Sequence, residues 1–168
     1  KGAAKLGGAY LVARTFTDQI RASGKTPGIA DITLDLLPAD AYVADALHIE
    51  KGRIVFRLAR TRLVDGAPIA YCSAFIRAEA IPNLQASDLK MSLIVMFTET
   101  FHLAISDRRI LCRAATASKE IGKRLGIAAR SPVLYLENEA SSGDFKPMFI
   151  DISYFRDNYS LRFDPERM

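Results

Sequence analysis

Apolar and polar residues alternate with period two through Ile54, Phe56 and Leu58, set against Arg53, Val55, Arg57 and Ala59. That is the pattern of a strand with one buried face. Asp65-Gly66 follows as a two-residue hairpin signal, because both central residues of a type I′ turn need positive φ. If the turn alone sets the register, Arg62 faces Ile69, Arg60 faces Tyr71, Leu58 faces Ser73 and Phe56 faces Phe75. A first strand is predicted over 29–37, with Ile32, Leu34 and Leu36 on one face, and a long strand over 103–116. A second hairpin joins 133–140 to 148–154 around Ser141-Ser142-Gly143-Asp144.

Helical signals fall between these strands. Thr15-Phe16-Thr17-Asp18 resembles a capping box, and Gly24 closes the helix it opens. Lys25 to Gly28 reads as a turn. Pro38 is placed to open a helix over 39–47, with Asp40 at the positive end of the dipole and Tyr42, Val43, Ala46 and Leu47 inward. Leu93, Met96, Phe97, Thr100 and Phe101 recur at helical spacing over 92–101 and read as core. Ser118 caps a last helix, with Ile121 and Leu125 inward and Gly126 beyond. Hairpins dominate this order, which predicts an α+β domain: an antiparallel sheet with helices packed on it.

The chain of 168 residues, 49% hydrophobic and 25% charged, fits one globular domain. It carries no apolar run long enough to span a membrane and no signal peptide, which points to a cytoplasmic protein without membrane contact. It opens on Lys1, consistent with a fragment of a longer polypeptide, and the small, Gly-rich residues 1–14 read as a linker segment. Cys72 and Cys112 show no metal-ligand spacing and read as buried free thiols. His48 and His102 stand alone, so neither a metal, a cofactor nor a catalytic base is assigned. The net charge of +4 is spread along the chain, and the basic cluster from Arg108 to Arg130 reads as a solvated face.

The core face of the central hairpin runs into Arg60 and Arg62. Long charged side chains are seldom buried unpaired. Three readings stand: the strand leaves the core near the turn and the arginines are solvated, carboxylates from elsewhere meet them, or a bound anion does.

Several phrases in order resemble the effector-binding UTRA domain of GntR-type transcription regulators of the HutC subfamily. They are Thr15-Phe16-Thr17-Asp18 with Gly24, Ala44-Asp45-Ala46-Leu47-His48-Ile49 with Gly52, Arg60-Thr61-Arg62 with Asp65-Gly66-Ala67-Pro68-Ile69, Ser92-Leu93, Leu125-Gly126-Ile127 with Pro132-Val133-Leu134, and Tyr154-Phe155-Arg156-Asp157-Asn158-Tyr159. The resemblance covers residues 15–168 as one effector-binding domain. It implies a chorismate lyase-like fold with a six-stranded antiparallel sheet, and a homodimer that senses a small anionic effector. DNA would be bound only through a separate N-terminal winged helix-turn-helix, absent from this chain.

Carried over by position, the resemblance implies an anion site at Arg60, Arg62, Thr15 and Ser92, with Tyr71, Ser73 and Tyr154 lining the same cavity. Guanidiniums suit that role because they give paired, charge-assisted bonds to carboxylate or phosphate. Ile94 stands where phosphosugar binders often carry Tyr. Met148 and Phe149 stand where many members have an acid after the Pro of the last hairpin, which favours a smaller or more apolar anion than an amino-sugar phosphate. The rival reading is a chorismate lyase-like enzyme acting on an aromatic carboxylate. Its best spare carboxylates are Glu137 and then Asp151, and neither makes a convincing acid or base beside the arginines, so no catalytic residue is assigned.

Overall fold

The computed structural model describes residues 16–85, 89–90 and 92–160. Six strands form one antiparallel sheet: β1 (Pro27–Pro38), β2 (Ile54–Val64), β3 (Ala67–Arg77), β4 (Asp107–Thr116), β5 (Pro132–Ser142) and β6 (Phe145–Phe155). Their spatial order is β1-β2-β3-β6-β5-β4, so the two hairpins lie side by side and β1 and β4 form the edges. Helices α1 (Phe16–Ala22), α2 (Ala41–Ala46), α3 (Leu93–Val95) and α4 (Lys119–Leu125) complete the described elements. The α+β, chorismate lyase-like architecture expected from the sequence is the one observed.

Capping chemistry accounts for the helix positions. The Asp40 carboxylate accepts from the Val43 amide at 2.8 Å, so α2 starts after Asp40, while Pro38 closes β1 instead of opening the helix. Ser118 Oγ accepts from the Ile121 amide, and Gly126 ends α4 in the left-handed conformation at φ 64°. The helix expected over 92–101 is less regular. Ser92 makes no side-chain cap, and α3 passes after one turn into a π-helical stretch, Met96–Thr100, in which Phe101 N bonds Met96 O. The turn expected at 25–28 is shorter than predicted, since β1 already begins at Pro27.

Two layers of cover define two faces of the sheet. On the front, Phe56, Leu58, Ile76, Met148 and Phe149 pack against Leu89, Met96 and Phe97, with the Phe97 and Phe149 rings stacked at 4.9 Å. On the back, α2 closes over Val55 and Ile150, and α4 over Ala59, Tyr71 and Val133. Cys72 is buried, but Cys112 is exposed, contrary to the expectation that both thiols are buried. Its strand, β4, is an edge that carries little cover.

The central hairpin departs from its predicted register. Val64 pairs with Ala67 and Leu63 with Pro68, as the Asp65-Gly66 turn requires, but Arg62 then pairs with Ala70, Arg60 with Cys72 and Leu58 with Ala74. Ile69 is the extra residue of a bulge. Pro68 has no amide hydrogen to give the ladder, and bulges are where a sheet tolerates proline. The freed Ile69 carbonyl accepts instead from the Arg156 amide at 2.9 Å. One inserted residue turns every later side chain of β3 to the opposite face.

Gly122 of α4 lies where a Cβ would stand 2.8 Å from the Ile127 carbonyl oxygen. An exposed helical glycine replaced by alanine gains about 1 kcal/mol of helix propensity. Here the sign reverses: Gly122→Ala is expected to destabilise by about 1–3 kcal/mol, because backbone must move. Urea denaturation checks this, and an unchanged or raised midpoint refutes it.

Candidate functional site

A pocket opens on the front face, floored by β2, β3, β6, β5 and β4. Its polar lining includes Arg60, Arg62, Ser92, Arg108, Asn138 and Asp151. The bulge explains this set. With Arg60 paired to Cys72, Cys72 to Ser153 and Ser153 to Leu136, one row of front-facing positions crosses the floor. The next front-facing row carries Leu58, Ala74, Asp151, Asn138 and Ile110.

Arg60 is 2% exposed and belongs to the largest fully buried side chains. Its Nη1 donates to the Leu89 carbonyl at 2.9 Å. Burial, reinforced by repulsion from Arg62 and partly opposed by Cys72 and Asp151, pulls the Arg60 guanidinium down to about 10. Arg62, 8% exposed, stacks over the Phe16 ring at 5.0 Å. Phe16 packs in turn against Phe155 and Tyr159, whose rings stack at 4.1 Å. Thus α1 fixes one wall of the pocket. No ion pair to Arg62 occurs among the described residues.

Arg60, Arg62 and Ser92 therefore come together as expected. Thr15 lies outside the described residues. Tyr71, Ser73 and Tyr154 do not line this pocket; the shifted register puts them on the back face, where Tyr71 pairs across from Thr61 and Tyr154. There Arg57 donates to the Ser73 hydroxyl and the Tyr71 hydroxyl, and the Tyr154 ring meets Tyr135 edge-on at 5.3 Å. Glu137, the first carboxylate weighed for an enzyme, is on that face too, accepting from the Tyr42 and Tyr135 hydroxyls at 2.5 Å.

Two pocket residues carry more than sequence reasoning assigned them. Asp151 follows Pro147 by four positions, so the pocket has an acid from the last hairpin after all, although not at 148–149. Burial raises its carboxyl above the ordinary range, while Arg60, Arg62, Arg108 and a Ser153 hydrogen bond each pull it back. Arg108, read as solvated, enters from β4 and donates through Nε to Asn138 Oδ1 at 2.7 Å. Its period-two relation to Ile110 was the available signal, but only the β4–β5 pairing shows which face they share. Among the described residues no group of three His, Cys, Asp or Glu side chains is placed to hold a metal.

Among the described residues the pocket lining thus sets three guanidiniums around one carboxylate, an arrangement chemically able to hold an anion. A family model of the UTRA domain matches residues 22–160, and the chain belongs to this family, the UTRA domain of GntR-family transcription regulators. The HTH-type transcriptional regulator GgaR of Escherichia coli K12 is 26% identical over 144 residues, 86% of this chain and 57% of its own length. The HTH-type transcriptional regulator Rv0792c of Mycobacterium tuberculosis is 24% identical over 147 residues, 85% of this chain and 54% of its own. The chain thus spans little more than half the length of these relatives. The crystal structure of the effector domain of PhnF from Mycobacterium smegmatis matches with a TM-score of 0.77 at 21% identity, covering 89% of this chain and 95% of that one. At this identity the match speaks for the fold.

The direction of the Asp151 shift has a consequence for stability. A carboxyl whose folded pKa is raised stabilises the fold least once ionised, so its penalty is absent below the unfolded pKa and grows as pH rises through the folded one. Asp151→Asn, which mimics the protonated form, is expected to melt higher than the parent at about pH 8 and to converge with it toward about pH 4. Thermal melts across that window check this; a variant melting lower at high pH means that guanidinium pairing outweighs burial.

Proposed function

We propose that this chain is the effector-sensing part of a GntR-type regulator of the HutC subfamily, and that the front pocket binds a small anionic metabolite. The observation that carries the reading is the convergence of Arg60 and Arg62, both buried, with Ser92 in one pocket. Guanidiniums held on a sheet floor suit carboxylate or phosphate, and a bound anion relieves the repulsion between them. In the whole protein a separate winged helix-turn-helix, joined through residues 1–14, binds the operator, and the regulator works in the cytoplasm. The effector acts by binding one arrangement of that protein more tightly than another, which is the only way a ligand shifts such an equilibrium.

Dimerisation is assigned to the β4 edge. Its ten residues have no outer strand partner among the described residues, and Leu111 at its centre is 47% exposed. A second copy pairing antiparallel along this edge completes the ladder and covers Leu111. Leu111→Lys is expected to shift the chain from dimer to monomer in sedimentation velocity, and a dimer that survives it moves the interface elsewhere.

The binding reading is tested by thermal-shift titration against phosphorylated sugars, phosphonates, urocanate, aromatic acids and fatty acids. A ligand bound only by the folded state raises the midpoint by about 2.7 kcal/mol worth of stability at a hundredfold excess over Kd. One anion class is expected to do so, with Arg60→Ala and Arg62→Ala each abolishing the response. Shifts that survive both substitutions return the arginines to a structural role, and conversion of chorismate to 4-hydroxybenzoate favours the enzyme.

A further inference from the structure

The pocket holds three guanidiniums, and they are not equivalent. Arg60 and Arg62 come from β2, while Arg108 comes from β4, with β3, β6 and β5 between them. Four strand spacings of about 4.8 Å separate the two backbones by roughly 19 Å, so both sides reach inward to line one cavity. Arg62 depresses the Arg60 guanidinium by repulsion. Asp151 feels all three, as expected of a group lying between the two ends.

Between those ends the floor is polar. Asp151 and Asn138 pair across β6 and β5, with Ser153 one front-facing position along from Asp151. Asn138 is 4% exposed and accepts from the Arg108 Nε, which draws that guanidinium inward from the edge strand over β5. Among the described lining residues, guanidiniums stand at both ends and the Asp151 carboxylate lies between them. The carboxylate in the middle would repel a compact dianion seated over it, but accepts hydrogen bonds from hydroxyls.

We propose that the effector is a short polyhydroxylated molecule with an anionic group at each end. Arg60 and Arg62 take one end, Arg108 takes the other, and Asp151 accepts from the hydroxyls between. This rests on the front pocket being the effector site, and it makes Arg108 the residue that selects two-ended over one-ended anions. A sugar acid or a phosphorylated sugar acid has the required chemistry.

Matched pairs test it on the whole chain by isothermal titration: 6-phosphogluconate against glucose 6-phosphate, and glucarate against gluconate. In each pair the first member carries the additional terminal anion and is expected to bind about tenfold tighter or more, the worth of one charge-assisted contact. Arg108→Gln is expected to erase that preference and leave the weaker member's affinity within about twofold, while Arg108→Lys restores part of it. Melting curves of both variants without ligand establish that they fold.

Equal binding within each pair, or a preference that survives Arg108→Gln, overturns the proposal. If the sugar acids fail while another anion binds through Arg60 and Arg62, the proposal falls and the effector-site reading stands. If Arg60→Ala leaves every anion's binding unchanged, both fall together.

Discussion

The constraint on which this structure turns is the burial of Arg60 in the floor of its own sheet. A guanidinium removed from water loses solvation worth several kcal/mol unless neighbouring groups replace it. The chain replaces some of it with the Leu89 carbonyl and places Asp151 two strands away. It then makes the problem harder by setting Arg62 on the same face, one front-facing position along. A fold selected only for stability has little reason to concentrate like charges there, whereas a site for anions needs that concentration. The aromatic wall of Phe16, Phe155 and Tyr159 serves the same end, since it holds Arg62 by its face and leaves its edge for other contacts.

Much of the scaffold could be read from local chemistry because local chemistry decides it. Asp40, Ser118 and Gly126 end their helices through groups within three or four residues of themselves. The strands declare themselves by alternation, and the order of hairpins and helices is enough to choose an antiparallel sheet. Failure began where one residue could reverse a face. The Asp-Gly turn determines the first two pairs of the β2–β3 ladder and no more, and Pro68 was the visible sign that the ladder would not continue evenly. The bulge it marks sets Tyr71 and Ser73 on the back of the sheet, so neither hydroxyl reaches the pocket.

The site was legible only in the part that lies on one strand. Arg60 and Arg62 stand two residues apart, so period two alone puts them together. Asp151 and Arg108 join them through strand order and register, which are long-range properties. Local pattern alone leaves Asp151 a spare acid and Arg108 one of several surface bases. Once β6 is known to lie beside β3, Asp151 falls opposite Ala74 in the row next to Arg60. Once β4 is known to pair with β5, Arg108 falls on the front face with Asn138 within reach. Of the residues from which a smaller, more apolar ligand was expected, Ile94 lines the pocket, whereas Met148 and Phe149 are buried core and the polar lining lies further along their strand.

The placement of Arg108 also bears on how a pocket can speak to an assembly. Arg60 and Arg62 sit on an inner strand whose neighbours on both sides are fixed by long ladders. Arg108 sits on β4, held to the sheet by β5 alone and open along its outer edge. An anion gripped only by the inner strand would stabilise the domain without distinguishing one arrangement of β4 from another, and a ligand with equal affinity for two states shifts neither. Contact with Arg108 makes binding depend on where the edge strand lies. The residue that would select the ligand is therefore carried by the element best placed to report it, and the exposed Leu111 lies three residues further along the same strand, on the opposite face.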